Sequence, residues 1–176
     1  MHPTATPPPV VPGRQPLRGP DIITLTDVIA TLTRSNGDQN KEKIDAVFRE
    51  AVERKLILQD HLDRFAEVDL SGMSLPVARA ACRFVIYGVQ REAQRGKPIE
   101  RVSFITGVGK AQLPRKGAQP AGPDESAEGG AGLSLREHIQ DILRSDFDPP
   151  IESVVPTLAQ GTVEVSKDVC SLWGKA

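Results

Sequence analysis

Long apolar runs, cysteine, histidine and aromatic residues are all scarce in this sequence, and each shortage excludes a class of protein. No apolar run approaches the roughly 20 residues that cross a bilayer, and the first residues lack the basic-then-apolar pattern of a secretory signal, so we expect no contact with a membrane. Cys82 and Cys170 lie far apart without a CxxC pair, which argues against a zinc site and a disulfide scaffold and favours two buried thiols. With one Trp, one Tyr and five Phe, base stacking on an aromatic platform is not expected.

The overall charge conceals a strongly basic segment. A length of 176 residues suits one full domain with an appendage, and the net charge is −1. Residues 75–120, however, hold nine basic and two acidic side chains, a balance of +7, whereas residues 121–176 carry −6 and residues 1–74 carry −2. Solvated surfaces usually mix charges of both signs, so a segment this basic favours a phosphate-rich partner, RNA or DNA.

The first 64 residues divide into an arm and a helical hairpin. Residues 1–20 contain seven prolines and few apolar side chains, so they are predicted to be a disordered arm. Apolar residues then recur three and four apart over residues 21–34 and again over residues 41–55, the spacing of two amphipathic helices. The predicted hairpin occupies residues 21–64, and because one such pair cannot bury its own faces, it should pack on the domain that follows.

Residues 65–176 show the pattern of a small α/β domain. Strands and helices alternate in a way that implies at least one right-handed parallel crossover. The prediction is a two-layer sandwich, with a mixed, roughly four-stranded sheet and two helices, and a mobile loop rich in Gly, Ala, Pro and Ser at residues 111–132. The predicted strands are 66–70, 101–106, 151–155 and 162–165, and the predicted helices are 74–93 and 134–145.

Two motifs in this domain resemble the Smr (small MutS-related) domain family. Val-Asp-Leu-Ser-Gly at residues 68–72 is similar to the family's Leu-Asp-Leu-His-Gly, with Ser71 in place of the histidine. Thr-Gly-Val-Gly-Lys at residues 106–110 is similar to the start of Thr-Gly-x-Gly-x-His, with Ala111 in place of the histidine. The resemblance implies nucleic-acid binding or endonuclease activity at the face where the two motifs meet.

The second helix of the hairpin carries Ala46, Phe48 and Glu-Ala-Val-Glu-Arg at residues 50–54, a pattern that resembles a degenerate pentatricopeptide repeat. Together the two resemblances suggest the C-terminal part of a protein with pentatricopeptide repeats and an Smr tail. Such proteins act on RNA or DNA in the chloroplast or mitochondrion, so the resemblance implies an organellar location and a preference for RNA.

The second motif offers a phosphate cradle. Around Thr106, the glycines Gly107 and Gly109 would let backbone N–H groups approach a phosphate, and Lys110 would supply positive charge. The alternative is that the glycines only permit the turn that leaves the strand. Asp69 can hold a divalent ion or orient a nucleophile, or it is simply a solvated acid at a strand end.

Three arginines complete the candidate site. Arg79 and Arg83 are four residues apart on the first domain helix, so we expect both on its outer surface, where they could contact successive phosphates of a nucleic acid. The alternative is an ordinary solvated helix face. Arg136 begins the second domain helix, where it can add to an anion site, or else is a plain surface arginine.

The leading functional prediction is a nucleic-acid-binding module, for RNA in preference to DNA, with weak or no catalysis. Ser71 and Ala111 cannot transfer protons as imidazole does near neutral pH, and none of His2, His61 and His138 has the spacing of a motif. Binding would need no cofactor, whereas cleavage would call for Mg²⁺ or Mn²⁺ on ligands that the sequence does not define. Two alternatives stay open: an active metal-dependent Smr endonuclease, and a protein-interaction domain that docks a partner through the hairpin or the acidic C-terminal part.

Overall fold

The computed structural model describes residues 19–58, 66–97, 101–107 and 134–173, with side chains described as far as residue 170. The arm predicted for residues 1–20 lies outside this part of the chain except for its last two residues. The loop predicted for residues 111–132 lies outside it entirely.

Five helices and three strands make up the described part of the chain. The first two helices lie where the apolar spacing predicts them, whereas the fifth helix is not predicted by the sequence pattern. In chain order the elements are α1 (Ile22–Asn36), α2 (Lys41–Glu53), β1 (Glu67–Asp69), α3 (Leu75–Gln94), β2 (Val102–Ile105), α4 (Leu135–Ser145), β3 (Thr162–Val165) and α5 (Lys167–Trp173).

Side-chain caps set the first residues of α1 and α4. The first backbone N–H groups of a helix have no partner within it, so a preceding polar side chain stabilises the start. Asp21 Oδ1 accepts a hydrogen bond from Thr24 N at 2.9 Å. Ser134 and Glu137 form the reciprocal capping box that their spacing predicts. Glu137 accepts hydrogen bonds from the backbone N–H of Ser134, which has the larger effect, and from the Ser134 hydroxyl. Both bonds hold the pKa of Glu137 below its ordinary value.

The sheet is mixed, in the order β1-β2-β3. β1 and β2 are parallel, with Val68 opposite Phe104, and β2 and β3 are antiparallel. The prediction of four strands is wrong for the described residues, because the segment 151–155 forms only one bridge, between Val154 and Glu164. Its first N–H, that of Ile151, donates instead to the carbonyl of Leu143 at 2.9 Å, so the beginning of the segment is bonded to α4.

One hydrophobic core joins the hairpin to the sheet. Phe48 of α2 and Phe104 of β2 are both fully buried members of the same cluster, and the rings of Phe48 and Phe84 lie 5.7 Å apart. Helix α3 is central, since it contacts each of the other four helices. The hairpin therefore packs on the following domain, as expected.

Both cysteines are buried and free, as predicted. Burial raises the pKa of the Cys82 thiol, and it raises that of Cys170 to about 11, so both stay protonated at neutral pH. Among the described helices, none combines the length and the apolar character needed to cross a bilayer.

Candidate nucleic-acid interface

The two Smr-like motifs meet at the edge of the sheet where the parallel strands end. Leu70 N donates to Ile105 O at 2.8 Å, so the chain leaves β1 and β2 side by side. A Cβ built on Gly107 would lie 3.3 Å from the Cβ of Ser71, a contact tighter than side chains normally make. We call this region the carboxyl edge, comprising residues 69–72, 106–107, 136 and 156–161.

Two glycines at the carboxyl edge adopt left-handed backbone conformations. Gly72 has φ +78° and Gly107 has φ +73°, a region that side chains with a Cβ enter at a cost. Nothing lies within 4 Å of a Cβ on Gly72, whereas a Cβ on Gly107 would crowd Ser71. Gly107 therefore has two reasons to be glycine, its left-handed backbone and the closeness of Ser71.

Asp69 projects from the last position of β1 and is exposed. Its Oδ1 accepts a hydrogen bond from Ser71 N at 2.8 Å, which fixes the turn that leads out of the strand. Within the described ranges, no three His, Cys, Asp or Glu side chains are grouped so that they could hold a metal ion. Asp69 alone does not define a Mg²⁺ or Mn²⁺ centre, which takes several oxygen ligands.

Thr106 holds the carboxyl edge together. It is almost completely buried, and both its N–H and its hydroxyl donate to the carbonyl of Gly161, at 2.7 Å and 2.9 Å. The Thr106 hydroxyl therefore donates its hydrogen within the protein and not to a ligand. Thr106 anchors the segment before β3 to the end of β2, and this is a structural role within the predicted cradle.

Arg136 brings a cation to the same edge. It lies in the first turn of α4, and its Nη1 donates to the carbonyl of Gln160 at 3.1 Å. Because Gly161 is bonded to Thr106, Arg136 is attached through two neighbouring residues to the end of β2. Arg136 as a residue is half-buried, and its guanidinium has further N–H groups that can donate to an anion.

The expectation that Arg83 lies on an outer surface is wrong. Its side chain is 4 % exposed, and it donates to Asp45 Oδ1 from Nε at 2.8 Å and from Nη2 at 2.5 Å. Its Nη1 donates to Asp146 Oδ2 at 3.2 Å. Arg83 joins α2 to the end of α4 from inside the molecule, so a phosphate backbone does not reach it in this fold.

Arg79 also forms an ion pair, although its side chain is more exposed than that of Arg83. Its Nε and Nη2 donate to the two carboxylate oxygens of Asp146 at 2.7 Å and 2.5 Å, a two-pronged pairing that fixes the guanidinium plane. The Asp146 hydrogen bond raises the pKa of Arg79 further, against the effect of burial. We call Arg79, Arg83, Asp45 and Asp146 the charge cluster.

Three further basic residues of this segment, Arg95, Lys97 and Arg101, lie at the opposite edge of the sheet. Helix α3 runs for 20 residues, about 30 Å, and returns the chain from the carboxyl edge to the start of β2. There Arg95 and Lys97 share Glu92, and Arg101 lies 3.6 Å from Glu164. Hydrogen bonds from Lys97 and then Arg95 hold the pKa of Glu92 below its ordinary value. These described basic residues are therefore divided between the charge cluster and the edge of the sheet opposite the carboxyl edge, rather than forming one surface.

Part of the second motif and two of the three histidines lie outside the described part of the chain. These are Gly109, Lys110 and Ala111 of the second motif, and the histidines His2 and His61. His138 is described; it lies half-buried on α4 with Nδ1 3.2 Å from the carbonyl of Ser134.

Sequence reasoning missed the acids of the charge cluster and the segment that completes the carboxyl edge. Asp45 lies between the apolar residues Ile44 and Val47 of α2, a place that suggests an acid near the core. Gly161 directly precedes a predicted strand, and nothing in its sequence neighbourhood marks it as a hydrogen-bond acceptor. Its role as acceptor for Thr106 depends on pairing between distant segments, which local patterns do not encode.

Comparison with known proteins gave no assignment: no family model, no curated protein and no solved structure matched the chain.

Proposed function

We propose that this chain is a nucleic-acid-binding module, preferring RNA, whose carboxyl edge holds a degenerate Smr site with weak or no cleavage activity. The observation that carries the proposal is the meeting of the two motifs, where a Cβ on Gly107 would stand 3.3 Å from that of Ser71. Two segments that resemble one family's site occupy one edge, with Arg136 beside them.

The chemistry of this edge suits a phosphate. Glycine removes the Cβ that would keep a phosphate from the backbone, and Arg136 offers N–H donors in a planar fork that matches phosphate oxygens. Lys110 follows in the sequence and would add a second cation. Since such contacts displace condensed counterions, binding should weaken steeply as salt rises.

The test is anisotropy titration of mixed-sequence RNA and DNA at several salt concentrations. Arg136→Ala should weaken binding and make the slope of log affinity against log salt smaller by about 1. Arg144→Ala is the matched control, because Arg144 is exposed in the last turn of the same helix and should change neither quantity. Lys110→Ala combined with Arg136→Ala should weaken binding further. Absence of any salt-sensitive complex at low ionic strength would exclude the proposal.

Weak catalysis follows from the residues at positions 71 and 111. Phosphodiester cleavage needs proton transfer to the leaving oxygen, and a positioned acid or base contributes about 10²–10⁴-fold. Neither Ser71 nor Ala111 provides one near pH 7. We expect slow or no cutting of labelled RNA and DNA with Mg²⁺ or Mn²⁺, and more activity in Ser71→His with Ala111→His than in either single variant. Vigorous nicking by the unchanged protein, abolished in Asp69→Ala, would show that the carboxylate suffices.

A second candidate function, docking of a protein partner through the hairpin, is favoured by the outer face of α1. Ile23 is 66 % exposed and Val28 39 %, and they border a shallow groove of about 380 Å³. A partner recovered in a pull-down after nuclease treatment, and lost in Ile23→Asp but not in Ser35→Asp, would support docking. Loss of the complex on RNase treatment would count against it. The groove is lined by Ile23, Thr24, Asp27, Val28, Thr31 and Leu32.

A further inference from the structure

The segment before β3 carries a fully exposed leucine, Leu158, at the carboxyl edge. Leu158 has a relative exposure of 102 %, the highest among the described large hydrophobic residues. Single exposed apolar residues are common on protein surfaces, so exposure alone explains nothing. What distinguishes Leu158 is the rigidity of its loop and the place where the loop lies.

Turn and bracing hydrogen bonds hold the loop at residues 156–161. Ala159 N donates to Pro156 O at 3.1 Å, and Thr162 N donates to Ala159 O at 2.9 Å. Thr106 adds its two bonds to Gly161, and Arg136 adds one to Gln160. Leu158 therefore stands on a braced turn, and a braced turn loses little conformational entropy when it binds.

The neighbours of this loop are those of the proposed RNA site. Arg136 contacts Gln160, two residues from Leu158, and Thr106 connects Gly161 to the strand that ends at Gly107. A strand whose phosphate lies at Arg136 would bring its bases within reach of an apolar side chain on the same edge. Apolar side chains inserted between neighbouring bases partially unstack them.

We infer that Leu158 is a wedge that inserts between two neighbouring bases of the bound RNA strand and unstacks them. This inference rests on the proposed function. It gives the bound RNA a contact to its bases, a role that aromatic side chains have in many RNA-binding proteins. The insertion involves no covalent step, and its ligand is an RNA strand with at least one accessible base step.

The experiment uses the full chain and a short single-stranded RNA in which every third base is 2-aminopurine, so that any binding register places a probe near Leu158. Fluorescence of 2-aminopurine rises when it is unstacked, and an end label reports affinity by anisotropy. The unchanged protein should raise 2-aminopurine fluorescence. Leu158→Ala should bind about tenfold more weakly, the effect of losing most of the apolar area that a buried leucine contributes, and should lose most of the fluorescence rise at saturation.

Two variants serve as controls. Leu158→Met keeps an apolar side chain of similar length and should restore both signals. Val154→Ala removes another exposed apolar side chain, 59 % exposed and bonded to β3 through Glu164, and should behave as the unchanged protein. Because Leu158 packs on nothing, Leu158→Ala should unfold at the same temperature as the unchanged protein.

The outcomes separate the wedge from the binding function. Salt-sensitive binding without a fluorescence rise, or a full rise in Leu158→Ala at saturation, would overturn the wedge and leave the proposed function standing. Absence of any RNA complex would overturn both.

Discussion

Removal of the Asp146 carboxylate is predicted to destabilise the whole fold. The Asp146 side chain is 3 % exposed and accepts two hydrogen bonds from Arg79 and one from Arg83. In addition, Lys41 Nζ on α2 donates to its carbonyl at 3.3 Å. Asp146 thus connects the end of α4 to the central helix α3 through its carboxylate and to the hairpin through its backbone carbonyl, and Asp146→Ala removes only the first of these connections.

The magnitude follows from what each arginine retains in Asp146→Ala. Removing one partner of a buried ion pair costs about 3–5 kcal/mol, because the other charge is left without compensation. Here Arg83 keeps Asp45, and Arg79, at 35 % side-chain exposure, can recover water. We therefore expect the lower end, about 3 kcal/mol in the free energy of unfolding, which in a protein of this size lowers Tm by about 6–12 °C.

Urea and thermal unfolding followed by circular dichroism measure this loss. Asp141→Ala is the control, since Asp141 is exposed on the same helix and surface substitutions usually change stability by less than about 0.5 kcal/mol. In the Arg79→Ala background, Asp146→Ala should cost less than it does alone, because one of its partners is already gone. Equal losses in Asp146→Ala and Asp141→Ala would refute the account of the charge cluster.

The same carboxylate predicts a pH dependence. Burial acts to raise the pKa of Asp146, but the hydrogen bonds from Arg79 and Arg83 outweigh it and hold the pKa below its ordinary value of 3.8. A depressed pKa in the folded state means that the stabilisation is complete above 3.8 and is lost as the pH falls through the folded value. The stability difference between the unchanged protein and Asp146→Ala should be constant near neutral pH and shrink in acid. A difference that grows in acid would contradict this sign.

Two further predictions concern the carboxyl edge. Gly72→Ala and Gly107→Ala each place a Cβ on left-handed backbone, and each should lower the free energy of unfolding in urea by about 1 kcal/mol or more. Only Gly107→Ala should also weaken RNA binding, because its Cβ meets Ser71. Equal effects of both variants on binding would argue against a role for that contact. Thr106→Val keeps the shape of the side chain but removes the hydroxyl bond to Gly161, so it should lower the free energy of unfolding by about 1 kcal/mol, and an unchanged Tm would show that the backbone bond alone holds the loop.

The helices that sequence reasoning predicts best are those with both an apolar period and a capping signal. Ser134 and Glu137 have capping-box spacing, and the structure forms both of its bonds. Helix α5 carries a weaker version of the same signal, because Ser166 Oγ accepts from Val169 N at 3.4 Å and Asp168 lies in the first turn. Its seven residues are too few for a visible apolar period, which is why the pattern did not reveal it.

Strand pairing was less predictable because it depends on where backbone hydrogen bonds go. Residues 151–155 have the composition of a strand, yet only Val154 exchanges bonds with Glu164, at 2.9 Å and 2.8 Å. The N–H of Ile151 is bonded to α4, and Pro156 has no N–H to donate. Competition between a helix end and a sheet edge for the same N–H groups is a tertiary effect.

The two arginines of α3 show how a charge count along the sequence can mislead. A helix that is apolar on one face presents its charges to solvent, whereas a helix that is apolar all round is buried, and any charge on it needs an internal partner. Ten of the 20 residues of α3 are buried, among them Ala78, Cys82 and Ile86, which lie off the stripe formed by Val77 and Ala81. Apolar residues on more than one face of α3 therefore indicate a central helix. On such a helix, an arginine is expected to pair with an internal carboxylate rather than to bind a phosphate. That leaves Arg136, on a helix with one apolar face, as the described arginine placed to meet a ligand at the carboxyl edge.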